Sequence, residues 1–341
     1  MGLSKNIGQK FHISVNMFLK EYCEKNNLKI NYSKKAVVAQ NKSEVATIYE
    51  LHKRGIKNGV DVKIINQAEL DKLDSNIKTT EIALYSPNTA TVDPIEVCLM
   101  IAKEIESKGV KILYGESYKF KFESYKIKTS KNRILVYDRL INCAGLYADK
   151  IAKQYNFSKK YTIVPFKGIY LKYTGKNKPV SMNVYPVPNL NNPFLGVHFT
   201  ITVDGDVKIG PTSIPAFWRE NYSGLENFKF KEFIDIVGIE SLLFMKNKFN
   251  FRKLATQEIK KYNRNHFLKL ASPMLKKFDP SGFNQWIRPG IRAQLLDTSS
   301  LELLMDFVIE GDESSTHILN AVSPAFTCSM PFSKFIVNKY F

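Results

Sequence analysis

The sequence predicts a mixed α/β chain of two domains, one of them assembled from discontinuous pieces. Three observations carry this expectation. Asp93 to Leu113 has the pattern of the αβ half of a βαβ crossover. From Tyr161 to Phe217 the pattern turns to a series of short strands, mostly antiparallel. β/α units lie on both sides of that block, so the chain leaves one layer and later returns to it. The 341 residues are 44% apolar and 24% charged, enough for one large or two medium domains with a real core.

Taken in order, Gln9 to Asn26 reads as a helix, with Phe11, Val15, Phe18, Leu19 and Tyr22 on one face. A strand is expected at Val37–Ala39, then a helix from Ser43 as N-cap to Gly55, and a short helix after Asn66. Asp93 is a good N-cap, and Pro94 suits a first helical position. In that helix Ile95, Cys98, Leu99, Ala102 and Ile105 form the expected buried stripe. Gly109 ends it, and Val110–Leu113 reads as a buried strand. A meander follows over Lys119–Phe122, Lys126–Thr129 and Arg133–Val136. The apolar strand Leu140–Cys143 then runs into Ala144-Gly145 and a helix near Tyr147. Strands are predicted at Ile163–Val164, Ile169–Tyr173, Ser181–Tyr185, Gly196–Ile201 and Val207–Ile209. Phe228 to Lys260 reads as helical. After Asn284 the pattern is Gly/Pro loops, a strand at Thr316–Leu319, and a segment Ser323–Tyr340 that includes a helix. Pro331 falls inside that helix, where it shifts the start or kinks the axis.

The formal charge is +18, but 42 of the 50 basic residues are lysine and only eight are arginine. Base-reading proteins favour arginine for its bidentate fork, and no nucleic-acid motif is present, so no nucleic-acid partner is expected. The favoured reading is compositional bias with solvated lysines. Attraction to an acidic substrate or an anionic membrane surface stays open beside it. Cys23, Cys98, Cys143 and Cys328 are scattered and form no C-x-x-C pair, which predicts free thiols in a reducing, cytoplasmic setting. His12, His52, His266 and His317 have no metal spacing, so no metal is expected. No apolar run is long enough to span a membrane, and Met1 to Gln9 has no apolar signal core.

The strand–Gly–helix turn at Leu140–Asp149 lets a ligand approach the backbone closely, although such a turn is more often only a turn. Its residues Asn142-Cys143-Ala144-Gly145-Leu146-Tyr147-Ala148-Asp149 resemble the FAD-contacting turn of the D-amino-acid-oxidase-like FAD-dependent oxidoreductases. A longer match runs through Val184-Tyr185-Pro186-Val187-Pro188, Pro193 to Thr200, Asp204-Gly205, Gly210-Pro211 and Ala216-Phe217-Trp218-Arg219-Glu220. Gly290-Ile291-Arg292-Ala293-Gln294 and Asn320 to Ala325 continue it in order. The resemblance covers essentially the whole chain and is nearest to the L-2-hydroxyglutarate oxidase/dehydrogenase branch.

That resemblance implies FAD as cofactor and a small 2-hydroxy acid as substrate. The expected reaction is oxidation of L-2-hydroxyglutarate to 2-oxoglutarate, with electrons passing to a quinone or to oxygen. Another same-fold substrate (an amino acid, glycerol 3-phosphate or a different hydroxy acid) and an inactive remnant without FAD are the alternatives. It also implies a Rossmann-like FAD domain over 1–30, 92–160 and 285–341, and a mostly antiparallel substrate domain over 31–91 and 161–284. Family members open with a strand, a Gly-x-Gly-x-x-Gly turn and a helix for the FAD pyrophosphate. The 341 residues contain no such motif, so the expectation is an N-terminally truncated FAD domain lacking its first βαβ segment. Electron transfer to quinone would go with peripheral association at the inner face of a membrane.

Among individual residues, His198 is the candidate base, because an imidazole suits proton transfer near neutral pH. Arg219 and Arg292 are candidates for gripping substrate carboxylates. Lys167 stands where the family has an Arg, and Ile169 where it usually has an acid. Tyr170 and Tyr185 are candidate hydrogen-bond donors. Ala144, Gly145 and Leu146 are expected against the flavin ribityl or pyrophosphate, and Tyr118 near adenine through its backbone. Ser323, Pro324 and Ala325 precede a helix whose positive end would face the flavin ring. Cys143 is expected to be a small buried hydrophobe.

Overall fold

The structure, a computed structural model, describes residues 15–188, 196–321 and 325–341. Helix α1 (Val15–Lys25) leads into β1 (Ile30–Asn31) and β2 (Lys35–Val38). Then come α2 (Val45–Lys57), β3 (Lys63–Asn66), α3 (Gln67–Leu73), β4 (Ile82–Ser86), β5 (Thr91–Val92) and α4 (Pro94–Ser107). β6 (Tyr118–Glu123), β7 (Lys126–Thr129) and β8 (Ile134–Val136) form the expected meander, and β9 (Leu140–Asn142) runs into α5 (Ala148–Lys153). β10 (Tyr161–Tyr173), β11 (Asn183–Pro186), β12 (His198–Ile201), β13 (Val207–Gly210) and β14 (Ile214–Pro215) precede α6 (Phe230–Lys246), α7 (Phe251–Ile259) and α8 (Arg264–Ala271). β15 (Phe283–Asp297), β16 (Glu302–Leu303), β17 (Val308–Gly311), β18 (Ser315–Asn320) and α9 (Ser329–Tyr340) follow.

A ten-stranded sheet dominates. Its order is β16-β15-β10-β13-β12-β11-β2-β4-β3, with β14 also paired to β10. Period-2 alternation divides its side chains between two faces. One face carries Ala36, Val38, Leu171, Val184, Phe199, Val207 and Ile209 into the main core, closed by Phe267, Leu268 and Ala271 of α8. At the β2–β4–β3 end the opposite face is covered by Ile48 of α2, against Val37, Val62 and Leu84. The middle of that opposite face carries polar groups instead. A smaller sheet, β17-β18-β9, joins β9 and β18 in parallel, and packs Phe307, Ile309 and Ile318 against Phe332 and Ile336 of α9.

Local signals explain most of these elements. Asn66 starts α3 with a full capping box, its side chain accepting from Glu69 N–H while Glu69 reaches back. Asp93 caps α4 through the Ile95 N–H, with Pro94 at its first position. Pro331 lies in the first turn of α9, where no intrahelical N–H is lost, so it marks the start without breaking the helix.

Four expectations are corrected. Ser43 lies in a 3-10 turn and the helix runs on to Lys57, past Gly55. The segment after Asn284 is not loop: β15 pairs with β10 from Tyr173↔Phe283 to Tyr161↔Asp297, and Pro289-Gly290 are absorbed at a register shift opposite Gly168 and Tyr170. The boundary expected at 285 therefore falls inside a strand of the large sheet. Residues 110–113 form no strand. The Ile95, Cys98 and Leu99 stripe of α4 is exposed, because the helix instead turns Val97 onto Leu19 and Cys23 of α1.

Candidate active site

The polar middle of the large sheet is built from two cross-strand rows on one face. The first row runs Lys35, Asn183, Thr200, Lys208, Lys172, as the pairings Asn183↔Lys35, Val184↔Phe199, Thr200↔Lys208 and Lys172↔Lys208 require. The second row runs Val37, Tyr185, His198, Gly210, Tyr170, one pleat along. The structure thus brings His198, Tyr185 and Tyr170 together.

His198 is buried, and its ring stacks on Tyr185 with centroids 3.8 Å apart and planes 18° from parallel. Its Nδ1 lies 2.9 Å from the Gly196 carbonyl. A carbonyl only accepts, so Nδ1 carries the proton and Nε2 keeps its lone pair. Burial pushes the His198 pKa down to about 4; the Gly196 carbonyl opposes this, and the charges of Lys35 and Lys208 add to it. The imidazole is therefore neutral at pH 7 and able to accept a proton at Nε2. Burial also raises the Tyr170 and Tyr185 hydroxyl pKa values, so both stay protonated donors.

Gly210 leaves the gap between His198 and Tyr170. Its φ is +142°, and a Cβ there would meet Tyr170 Cδ1 at 2.5 Å. Only glycine lets the Tyr170 ring lie over that backbone.

Lys167 is buried but does not join the cluster. It lies three residues from Tyr170 on β10 and hence on the other face. There it lines a cleft of about 890 Å³ with Ile169, Phe217, Trp218 and Trp286. Arg292 is half-buried opposite Phe166, one pairing beyond Lys167↔Ile291, and burial lowers its pKa.

Arg219 has a different role from the one expected. Its Nη1 and Nη2 grip the Asp149 carboxylate at 2.7 and 2.8 Å, and Nη1 also donates to the Leu146 carbonyl. Asp149 is fully buried and additionally accepts from the Ile163 N–H at 3.1 Å. Nη1 and Nη2 are both taken up inside the protein, so Arg219 ties the Gly145 turn and α5 to the segment after β14, while Asp149 ties them to β10.

The turn after β9 is held from below. Asn142 donates to the Ala148 carbonyl at 2.8 Å and to His317 Nδ1 at 3.1 Å, and accepts from the Ala144 N–H at 3.1 Å. His317 is buried on β18, and its Nε2 faces Ser315 Oγ at 3.1 Å. Burial pushes its pKa down to about 4, which keeps Nδ1 an acceptor. Above this frame Ala144 and Gly145 are exposed. Gly145 has φ +53° and no atom within 4 Å of the position a Cβ would take, so a large cofactor can rest on its backbone. This open turn fits FAD. Cys143 is exposed rather than buried, because the strand turns it away from His317 and α5.

Tyr118 donates its hydroxyl to Gln154 at the end of α5 at 2.8 Å, so its side chain is taken up against that helix. Ser323 and Pro324 lie outside the described residues; Ala325 sits in the turn before α9 and accepts from Cys328 Sγ. Among the described residues no cluster of metal ligands occurs, and no helix is long and apolar enough to cross a membrane.

Sequence reasoning missed Lys35, Lys208, Asp149 and the Asn142–His317 pair. Val207-Lys208-Ile209 does carry a signal, a lone cation flanked by apolar residues in a strand, whereas Lys35 follows another lysine, Lys34. The lysine-rich composition masked it.

The sheet face with its neutral imidazole, the Gly145 turn and the fold define a class. The model of the FAD dependent oxidoreductase family matches residues 6–336, and the chain belongs to that family. Similar relatives include the mitochondrial L-2-hydroxyglutarate dehydrogenase of Nematostella vectensis, 31% identical over 94% of this chain and 74% of that protein. The L-2-hydroxyglutarate dehydrogenase of Indibacter alkaliphilus is 32% identical over 96% and 81%. Among solved structures, L-alpha-glycerophosphate oxidase from Mycoplasma pneumoniae with FAD bound shares the fold with a TM-score of 0.68 at 17% identity, covering 97% of this chain and 78% of that one. The protein is thus an FAD-dependent oxidoreductase whose curated relatives act in the 2-hydroxy acid class.

Proposed function

We propose that the chain oxidises L-2-hydroxyglutarate to 2-oxoglutarate. The observation that carries this reading is His198: a buried, neutral imidazole with its Nδ1–H fixed and its Nε2 available, on a face lined by lysines. The names of the relatives above support the substrate. FAD, when bound, would supply the acceptor for the hydride from C2, with a quinone or oxygen as the final electron acceptor. His198 Nε2 takes the hydroxyl proton as the C2–O bond becomes a carbonyl. Tyr185 holds the ring in place by stacking, and the Tyr170 hydroxyl is the candidate donor to the substrate. Ala144, Gly145 and Leu146 would contact FAD, with Ala325 and the Tyr118 backbone at its other parts. Arg292 is retained as a candidate carboxylate ligand, and Lys167 as a contact reached only from the far side of the sheet. The FAD-holding portion would comprise 1–30, 92–160 and the residues after β15.

The test is the absorption spectrum of the full chain after incubation with FAD and desalting. Retained flavin bands, bleached without oxygen by L-2-hydroxyglutarate but not by its D enantiomer, L-proline or glycerol 3-phosphate, are the expected result. In His198→Ala, bleaching slows by about 10²- to 10⁴-fold while flavin retention is unchanged. Bleaching by an amino acid or glycerol 3-phosphate instead would overturn the substrate assignment.

A further inference from the structure

The first cross-strand row contains three lysines, and they are treated differently. Lys172 pairs with Asp206 at 2.6 Å. Lys35 and Lys208 have no carboxylate within ion-pair distance among the described residues, although both are partly withdrawn from water. Each ammonium instead lies over an aromatic ring of the second row: Lys35 Nζ is 5.6 Å from the Tyr185 centroid and Lys208 Nζ 4.6 Å from that of Tyr170. A cation–π contact recovers only about 0.5–2 kcal/mol. Two sheltered cations on one face without an acid between them are costly unless an anion joins them.

Their placement says which anion. Lys208 is on β13 and Lys35 on β2, with β12 and β11 between, so three strand spacings of about 4.8 Å separate their backbones. Both side chains act on His198, which sits on β12 between them. Asn183 and Thr200, the residues between the lysines in their row, are short, and at Gly210 the Tyr170 ring takes the place a side chain would fill.

We propose that Lys35 and Lys208 form a two-ended seat for a dicarboxylate, each ammonium taking one carboxylate so that the carbon between them is held over His198 Nε2. This deepens the proposed function and rests on it for the reaction, but the seat itself is defined by two lysines without acidic partners that flank His198 on one sheet face. A five-carbon dicarboxylate neutralises both lysines at once; a monocarboxylate of the same length leaves one of them unmatched. The seat makes selection for a dianion a property of this sheet face.

Calorimetric titration of the FAD-supplemented full chain with glutarate and with pentanoate tests it. Wild type is expected to bind glutarate at least tenfold more tightly than pentanoate. Lys35→Gln and Lys208→Gln should each weaken glutarate binding at least tenfold, with unchanged circular dichroism, and Lys208→Arg should restore most of it. Lys172→Gln, whose partner is Asp206, should leave glutarate binding alone. Equal binding of the two acids by wild type, or wild-type glutarate affinity in both Gln variants, overturns the seat. Tight glutarate binding that depends on both lysines, without oxidation of L-2-hydroxyglutarate, sinks the substrate assignment and keeps the seat. Oxidation of L-2-hydroxyglutarate with wild-type kcat/KM in both Gln variants does the reverse.

Discussion

The ten-stranded sheet places apolar side chains against other parts of the chain on both faces, whereas α4 and the residues after it turn theirs outward. Leu171, Phe199 and Ile209 have essentially no exposed surface, and Val37, Ile48 and Leu84 close the other side. On α4, Ile95 is 68% and Leu99 63% exposed, and Val110 beyond it is 52% exposed. The apolar pattern is equally strong in both regions. What differs is whether another layer lies opposite it, and an amphipathic stripe says nothing about that on its own. The end of the chain around α5 and β18 is joined to the large sheet by the apolar cluster Ala148, Ala152, Ile163, Leu295 and Leu319 and by the buried Asp149–Arg219 pair.

Removing that coupling should have the largest effect. In Arg219→Ala the Asp149 carboxylate loses its bidentate partner while remaining fully buried, which costs about 3–5 kcal/mol. Urea unfolding should show this loss, together with reduced flavin retention, because Leu146 of the Gly145 turn is held by the same side chain. Arg219→Lys should recover only part, since one ammonium cannot replace two parallel N–H donors. If Arg219→Ala instead kept wild-type stability and lost only substrate affinity, the carboxylate-binding role expected from sequence would be restored.

Acid gives a second comparison, since the large sheet and the β17-β18-β9 sheet each hold one buried neutral histidine. His198 and His317 both have pKa values of about 4, lowered chiefly by burial. Their unfolded values are about 6.5, so between those limits the unfolded chain binds protons that the folded chain refuses. Stability is complete above about pH 6.5 and is lost as pH falls toward 4. At pH 4.5 each histidine accounts for about 2.5 kcal/mol of that loss. His198→Gln should therefore reduce the difference in unfolding free energy between pH 7 and pH 4.5 by about that amount. In the His317 region protonation also removes the Nδ1 lone pair that receives Asn142, so flavin should be released as the pH falls.

The sequence made some of this legible and hid the rest for identifiable reasons. Asp93-Pro94 and Asn66 mark helix starts because capping is local chemistry, and both are where they were expected. His198 and Tyr185 stand in the motif blocks and Tyr170 does not, and their adjacency depends on strand register, which no single strand reveals. β15 was missed because Pro289 and Gly290 read as loop, while the long β10 partner that carries the strand through them is a tertiary fact. Arg219 shows the opposite failure. Its residue type was right for an anion, but the anion is Asp149, 70 residues away in sequence and in contact only after folding.

The smallest expected effect on stability is also the most direct check on the contrast between the regions. Ile95→Ser with Leu99→Ser removes two large apolar groups from α4, yet both already face water, so the unfolding free energy should move by no more than about 0.5 kcal/mol. The apolar stripe itself should change measurably. With Ile95, Leu99 and Val110 exposed close together in sequence, the wild-type surface should bind anilinonaphthalene sulfonate at pH 7, and the double variant should bind less while keeping its melting temperature. A drop of several kcal/mol in the double variant would mean that α4 buries its stripe against another part of the protein, as the sequence pattern predicts. Unchanged stability with reduced dye binding means that the helix is held by its Val97 and Ile101 side, together with the Glu104–Tyr22 hydrogen bond, and that its Ile95–Leu99 side faces water.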